Sequence, residues 1–190
     1  YLLPAKQKIG ELIVKNIGIS GNQPRTLMAW VNWDGEVNKG DKGHRQGIVQ
    51  IGGSEARESS TLYIWDGPGK FKFQTNWNDL HSADAYAKPD VWYHFAVAWD
   101  DMVDRTGIGK AWIYIDGVLN KNSFLAELIT PDTVVTIGGD PTKVLEDKRI
   151  FNGLIDEVAI FNVALKEEDI KAIINKGLEA ALDIDIITAV

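Results

Sequence analysis

The stretch from Phe151 to Ile174, FNGLIDEVAIFNVALKEEDIKAII, places a strand directly before a helix. Its first part, Leu154 to Phe161, has apolar residues on both alternating faces and is rich in β-branched and aromatic types, which is typical of a buried strand. Its second part has apolar residues three and four positions apart, which predicts an amphipathic helix that ends near Gly177. The helical stripe consists of Ile170, Ile173, Ile174 and Leu178. One helix late in a strand-rich chain indicates a β-sandwich with a single packed helix.

Short strand-forming runs separated by turn signals fill the rest of the chain, which indicates a sandwich or barrel rather than βαβ units. Thr26 to Trp33 is mostly apolar on both faces and predicts a strand inside the sandwich. Phe71 to Trp77 alternates apolar and polar residues, as a half-buried strand does. Asn78 to Asp90 shows no periodicity and predicts a long binding loop. Further strands are predicted at residues 9–19 near an edge, Ile48 to Ile51, Leu62 to Trp65, Trp92 to Trp99, Ala111 to Ile115 and Val134 to Ile137.

Three segments carry a family resemblance. They are Val91 to Asp100, Ala111 to Val118, and the run from Asn152 to Leu165. Together they resemble the laminin G-like domains of the concanavalin A-like superfamily, especially the bacterial pentraxin-like branch. The resemblance covers about Thr26 to Lys176 and departs from the family at Lys166, where a Ser or Thr usually caps the helix.

The resemblance and the strand pattern lead to the same fold. We expect an all-β chain, a jelly-roll β-sandwich of two antiparallel sheets with one short C-terminal helix. We expect one laminin G-like domain over residues 1–178 and a tail or terminal strand over 179–190. In the family, an Asp- and Gly-rich turn and its strand precede a run such as that at Tyr1, so we expect the family's first strand to lie upstream.

Composition excludes several classes of partner and chemistry. The net charge of −7 opposes binding to nucleic acid or anionic lipid. The chain contains no run of about 18 apolar residues, which is the length that would predict a membrane-spanning helix. Its N-terminus shows no secretion signal. The chain has no Cys, which excludes thiol catalysis and thiolate metal sites. The resemblance implies a secreted or cell-surface protein.

Carboxylate spacing argues against catalysis. Glycan hydrolysis requires two carboxylates on one face, whereas Asp156 and Glu157 are adjacent and so point to opposite faces of a strand. Asp183 and Asp185 have the required spacing but lie in a terminal segment without a third acid or an aromatic platform. We therefore expect no enzymatic activity.

Calcium is the metal that the residues favour, because carboxylates and loop carbonyls suit a hard cation. The resemblance implies Asp156 as the metal ligand and calcium as a structural cofactor. In the alternative interpretation, the Asp156 carboxylate accepts backbone N–H hydrogen bonds in a turn. His94 lies on the face opposite Tyr93 and Phe95, which predicts a hydrogen-bonded structural histidine.

Sugar recognition requires aromatic faces for the apolar side of the pyranose and planar polar groups for its hydroxyls. The stretch around Trp77 offers both, and Trp65 lies at a neighbouring turn. The predicted ligand-binding residues are Trp65, Asp66, Asn76, Trp77, Asn78, Asp79 and His81. In the alternative interpretation, Trp77 is a core residue that continues the apolar face of its strand.

These observations predict a non-catalytic recognition module that binds a carbohydrate or an extracellular protein through rim loops, assisted by calcium. A structural or adhesion module of a larger secreted protein, with no small ligand, is the first alternative. A diverged glycan hydrolase or lyase is the second.

Overall fold

The computed structural model describes residues 12–15, 17–36, 45–65, 69–101, 108–131, 134–139 and 149–178, which form eleven strands and one helix. In chain order these are β1 (Leu12–Lys15), β2 (Arg25–Trp33), β3 (Arg45–Gly52), β4 (Ser59–Trp65), β5 (Lys70–Gln74), β6 (Leu80–Tyr86), β7 (Trp92–Asp100), β8 (Ile108–Ile115), β9 (Val118–Ala126), β10 (Val134–Ile137), β11 (Gly153–Phe161) and α1 (Glu167–Lys176).

The strands form two antiparallel sheets. The six-stranded sheet has the order β1-β10-β3-β4-β5-β6, and the five-stranded sheet has the order β11-β2-β7-β8-β9. This arrangement confirms the predicted fold class, a jelly-roll sandwich with one short C-terminal helix. Within the described residues, no helix combines the length and hydrophobicity needed to cross a bilayer.

The core lies between the inner faces of the two sheets. Phe71 of β5 packs at 5.1 Å, centroid to centroid, from Phe95 of β7, and both rings are fully buried. Burial of one such side chain stabilises the fold by roughly 1.5–3 kcal/mol. The largest other buried apolar side chains of this layer are Leu27, Ile48, Ile51, Leu62, Ile64, Phe73 and Trp99.

A buried arginine joins the two sheets at one end of the sandwich. Arg25, the first residue of β2, donates from Nη1 to Thr130 Oγ1 at 2.9 Å and from Nη2 to the Gly21 carbonyl at 2.8 Å. Its Nη1 also lies 3.3 Å from Ser60 Oγ of β4. Burial lowers the pKa of Arg25 to about 10, still high enough to keep the guanidinium charged at neutral pH. The hydrogen bonds therefore stabilise a charge that would otherwise be costly to bury.

The predicted strands at Thr26 to Trp33 and Val134 to Ile137 are confirmed as β2 and β10. Residues 9–19 contribute β1, which lies at the edge of its sheet as predicted. The strand from Leu154 to Phe161 is also confirmed, as β11, but its predicted burial is wrong. β11 is one of the two edge strands of the five-stranded sheet, and its apolar residues Leu154, Val158, Ile160 and Phe161 are only partly buried.

Two predictions near β5 are wrong. Asn78 to Asp90 is not a loop throughout, because Leu80–Tyr86 forms β6 and pairs with β5 across a register shift. Pairing with a neighbour overrides the weak strand pattern of this segment. In addition, β5 ends at Gln74, and the chain turns at Asn76, whose φ is 64°. Trp77 is therefore 71% exposed and does not continue the core face.

The helix covers the outer face of the five-stranded sheet. Its predicted stripe is confirmed, with Ile170 and Ile173 buried against Met28 and Ala96. Lys166 offers no side-chain cap, as the sequence indicates, and Asp169 Oδ2 instead accepts from the Lys166 N–H at 3.1 Å. The helix ends at Gly177, whose φ of 79° favours glycine.

Thr26 fixes the connection into the helix. Its Oγ1 donates to the Val163 carbonyl at 2.7 Å and accepts from the Leu165 N–H at 2.9 Å. The predicted hairpin turn at Asp116 and Gly117 is also confirmed, with φ values of 51° and 76° that match the right-handed twist of β8 and β9.

His94 is buried on the outer face of β7, as predicted for a structural histidine, and its ring lies edge-on to Trp30 at 5.4 Å. Its Nδ1, however, has no hydrogen-bond partner among the described residues, contrary to the prediction. Burial lowers the pKa of His94 to about 4. The unfolded chain therefore binds more protons than the native state between about pH 4 and 6.5, and stability falls as the pH falls through that range.

We predict that the native protein loses about 2 kcal/mol of unfolding free energy between pH 7 and pH 5 through His94. His94→Gln, which cannot titrate, removes that part of the loss. Urea denaturation of both proteins at the two pH values measures it, and the His81→Gln variant serves as a control that keeps most of the loss. An equal pH dependence in the native protein and His94→Gln would contradict the assignment.

Candidate functional site: the outer face of the six-stranded sheet

The outer face of the six-stranded sheet is polar and largely buried. Because Phe71 and Phe73 of β5 point into the core, the residues that alternate with them point outward. The buried polar or phenolic side chains of this face are Gln50, Ser59, Thr61, Tyr63, Lys72, Gln74 and Thr136. The hydroxyl groups of Ser59 and Thr61 are hydrogen-bonded to each other, and Arg45 Nη1 donates to Gln74 Oε1 at 3.1 Å. A polar layer of this kind presents directional hydrogen-bonding groups close to the surface.

Part of this face is covered. Arg149 Nη1 donates to Tyr63 Oη at 3.0 Å, and the guanidinium carbon lies 5.8 Å from the centroid of the Tyr63 ring. The Arg149 carbonyl accepts from the Gly47 N–H at 2.7 Å. A Cβ at Gly47 would lie only 3.0 Å from the Gly139 carbonyl oxygen, so the backbone at Gly139 lies close against β3. Arg149 and Gly139 therefore lie over β3 and Tyr63, and the more accessible side chains of this face are at the end formed by β4, β5 and β6.

Trp65 and His81 form an aromatic pair at this accessible end. Trp65 is the last residue of β4, His81 lies on β6, and their ring centroids are 5.3 Å apart across β5. Trp65 is 37% exposed and His81 is half-buried. Burial, followed by the nearby charge of Lys72, lowers the pKa of His81 below its ordinary value. A neutral imidazole offers one hydrogen-bond donor and one acceptor beside an indole face.

The turn after β5 is built by two of the predicted binding residues. Asp79 Oδ1 accepts from the Thr75 N–H at 3.1 Å, and Asn76 Nδ2 donates to the Glu55 carbonyl at 3.4 Å. Asn76 Oδ1 also accepts from Gln74 Nε2. The side chains of Asn76 and Asp79 therefore hold the turn, whereas those of Trp77 and Asn78 are exposed.

Asp79 has a second structural role as the counter-charge of a buried lysine. Lys72 Nζ lies 2.7 Å from Asp79 Oδ2, and the Lys72 side chain is almost fully buried. Burial lowers the pKa of the Lys72 ammonium, and the hydrogen bond to Asp79 opposes that shift. The ion pair joins the turn to the outer face of β5.

The structure divides the predicted binding residues into separate groups. Trp65 lies opposite Lys70 at the start of β5, whereas Trp77 follows the end of β5, about 13 Å away along the strand. The sequence stretch around Trp77 therefore does not form one site with Trp65. Asp66 lies outside the described residues.

Sequence reasoning missed other residues of this face. The sequence pattern places Tyr86 in the predicted binding loop from Asn78 to Asp90, but it lies on β6 opposite Lys70 and is 45% exposed. The alternation along Phe71 to Trp77 placed Lys72 on the polar face, but nothing in the sequence showed that it would be buried.

Asp156 lies at a bulge of β11, where its Oδ1 accepts from the Glu157 N–H at 2.8 Å. This contact matches the alternative interpretation, in which the carboxylate binds backbone N–H groups. Among the described residues, no three Asp, Glu or His side chains are grouped as metal ligands. Asp183 and Asp185 lie outside the described residues.

Comparison with known families gives one strong match. A laminin G family model, described as the concanavalin A-like lectin/glucanases superfamily, matches residues 10–171. The search of curated proteins returned no significant match.

Solved structures share the fold at low sequence identity. A putative carbohydrate binding protein from Bacteroides ovatus has a TM-score of 0.61 and 20% identity, over 85% of this chain and 43% of that chain. A SAP-like pentraxin from Limulus polyphemus has a TM-score of 0.60 and 12% identity, over 82% of this chain and 71% of that chain. Domain 4 of the GH43 extracellular arabinanase AbnA from Geobacillus stearothermophilus, in complex with arabinotriose, has a TM-score of 0.59 and 20% identity. This match covers 85% of this chain and 71% of that chain. This chain spans less than half the length of the Bacteroides protein.

We predict that Asp79→Ala lowers the free energy of unfolding by about 2 kcal/mol, because it leaves the buried Lys72 ammonium without its counter-charge. Asn78→Ala, at the exposed neighbouring position, changes it by no more than about 0.5 kcal/mol. Chemical denaturation of the two variants measures the difference. An Asp79→Ala variant as stable as Asn78→Ala would show that the ion pair is not needed for stability.

Proposed function

Because the chain belongs to the concanavalin A-like lectin/glucanases superfamily, we propose that it is a non-catalytic recognition module that binds a carbohydrate. The observation that carries this proposal is the Trp65 and His81 pair on the outer face of the six-stranded sheet. We propose a secreted or cell-surface location for the same reason, since carbohydrate polymers and glycoconjugates are abundant there.

The chemistry of the pair suits a sugar. An exposed indole face packs against the apolar C–H face of a pyranose ring. The indole N–H, at the edge of the same ring, is polar and can donate a hydrogen bond. The neutral His81 imidazole can donate to one hydroxyl and accept from another. The buried polar layer beneath the pair holds the surrounding side chains in fixed positions, which lowers the entropic cost of binding.

Two of the similar structures are of proteins associated with this class of ligand. The Bacteroides ovatus protein is described as a putative carbohydrate binding protein, and the arabinanase domain is in complex with arabinotriose. Their identity to this chain is 20%, so they support the shared fold and leave the ligand of this chain to experiment.

A second candidate function is binding of an extracellular protein, as in an adhesion module. The observation that favours it is the apolar surface of β9, the edge strand opposite β11 in the five-stranded sheet. Leu119 and Phe124 of this strand are both exposed, and both lie on the outer face of the sheet, opposite Tyr114 and Lys110. Under this alternative the protein binds no glycan, and substitutions on the six-stranded sheet leave its partner binding unchanged.

We also propose calcium as a structural cofactor, with Asp156 as a ligand. Asn32, which lies diagonally across from Asp156 on the neighbouring strand β2, supplies a second oxygen donor on the same side of the sheet. Calcium usually takes six to eight oxygen ligands, so backbone carbonyls and further oxygen donors would have to complete the site.

We predict that a broad glycan array identifies a ligand and that Trp65→Ala then weakens the affinity for it by about tenfold, because loss of an aromatic stacking contact costs about 1–1.5 kcal/mol. Trp92→Ala is the matched control, since Trp92 is equally exposed, at 38%, but lies on the other sheet. Isothermal titration calorimetry gives both affinities, and a product assay on the same glycan is expected to show no turnover. Equal weakening by both variants, or weakening only by Trp77→Ala, would exclude the Trp65 and His81 pair as the site.

We predict that millimolar calcium raises the melting temperature of the native protein by a few degrees and that Asp156→Asn abolishes the rise. Thermal melts with calcium and with chelator measure this. A rise that persists in Asp156→Asn would place the ion elsewhere.

A further inference from the structure

Four residues lie directly opposite one another across the strands β3, β4, β5 and β6. Arg45 is the register partner of Trp65, Trp65 of Lys70, and Lys70 of Tyr86. We call Arg45, Trp65, Lys70 and Tyr86 the cation–aromatic row, because positive and aromatic side chains alternate along it. With neighbouring strands about 4.8 Å apart, the row is about 14 Å long, which is enough for more than one sugar ring.

The side chains of the row share the outer face and reach the surface. Lys70 Nζ lies 5.4 Å from the centroid of the Tyr86 ring, and the Trp65 ring contacts His81. Arg45 reaches along the same face to Gln74. Trp65 and Tyr86 are exposed, and Arg45 and Lys70 are half-buried. Partial burial excludes some water from the two cations, which strengthens their attraction to an anion.

The surroundings of the row are positively charged. Behind it, Lys72 lies on the same face of β5, and Arg149 packs on Tyr63. Burial is the main cause of the lowered pKa of Lys72, and the charges of Arg45 and Arg149 lower it further. Among the described residues, Asp79 is the carboxylate that raises the pKa of Lys72, against the effect of Arg45 and Arg149.

His81 lies close enough to these cations for their charges to affect its pKa. Its pKa is lowered first by burial and then by the charges of Lys72, Lys70 and Arg45, and Asp79 acts in the opposite direction. These cations lie together on one face of a chain whose net charge is −7. A concentrated positive region on an acidic protein is expected to attract a small or local anionic group.

We propose that the cation–aromatic row binds an acidic glycan, a sugar chain whose rings pack on Trp65 and Tyr86 and whose carboxylate or sulfate groups are bound by Arg45 and Lys70. This inference rests on the proposed carbohydrate-binding function and specifies its ligand class. Arginine binds carboxylate and sulfate through paired N–H donors, and lysine binds them as a point charge. Nucleic acid is the alternative polyanion, and binding of single-stranded DNA is therefore measured beside the acidic glycans.

The test compares polygalacturonate, which carries carboxylates, heparan sulfate, which carries both groups, and neutral galactan, each at low and moderate salt. The double variant Arg45→Gln/Lys70→Gln removes the two positive charges but keeps a polar, hydrogen-bonding side chain at each position. The control Lys121→Gln/Lys176→Gln makes the same change in net charge at exposed positions on β9 and α1. Circular dichroism melts establish that all variants are folded.

We expect at least one acidic glycan to bind, with an affinity that falls as salt rises. Arg45→Gln/Lys70→Gln should weaken this binding by at least about tenfold, since charge-assisted hydrogen bonds are lost. The control should stay within about twofold of the native protein. Preference for polygalacturonate would identify the carboxylate as the recognised group, and preference for heparan sulfate would identify the sulfate.

Other outcomes overturn the inference in distinguishable ways. Binding of neutral galactan alone, with no effect of the double variant, removes the acidic ligand and leaves the proposed carbohydrate function standing. Equal weakening by the double variant and its control, or equally tight binding of single-stranded DNA, would show a general charge effect in place of a site. A folded protein that binds none of these probes and no glycan on a broad array contradicts both the inference and the proposed function.

Discussion

The packing of Phe71 and Phe73 into the core fixes the direction of every side chain on β5. Because successive residues of a strand point to opposite faces, these two rings force Lys70, Lys72 and Gln74 to the outer face. A slip of one residue would expose both rings and bury the cations in the core. The same burial that holds the sheets together therefore builds the surface that we propose as the binding site.

The outer face imposes a second physical requirement, the pairing of buried polar groups. Lys72 is buried and charged, and the 2.7 Å contact with Asp79 supplies its counter-charge. Asp79 also closes the turn at Thr75, so the ion pair and the turn depend on each other. Asn76 and Asp79, which the sequence predicts to contact a sugar, thus hold the turn and the sheet, and recognition is left to the aromatic and cationic side chains that remain accessible. A rigid polar layer beneath accessible rings suits recognition because little order has to be created on binding.

The sequence predicted the fold well because its signals are periodic and local. The stripe of Ile170 and Ile173 predicted the helix, and the Asp116 and Gly117 pair predicted the hairpin turn. The sequence did not show that β11 is an edge strand, because its apolar residues resemble those of a central strand. Nor did it reveal the buried Arg25, since a charged residue before a strand normally indicates the surface.

The site was harder to predict for a related reason. Grouping Trp65 with Trp77 relied on nearness in sequence, whereas the pairing of β4, β5 and β6 decides which side chains meet. That pairing brings His81 to Trp65 and Tyr86 to Lys70, and it moves Trp77 to the opposite end of β5. The β5 and β6 register shift has no signal in a single sequence, so Tyr86 could not be placed before the structure was known.

The most direct test of carbohydrate recognition by this face is a titration followed by the indole N–H signals of the seven tryptophans in a 15N-labelled protein. The glycan from the array is added, and signals are assigned with single Trp→Phe variants. We predict that the indole N–H signal of Trp65 shifts progressively, while the indole signals of Trp92 and Trp112 on the five-stranded sheet do not shift. Shifts confined to Trp92 and Trp112, with Trp65 unchanged, would contradict it.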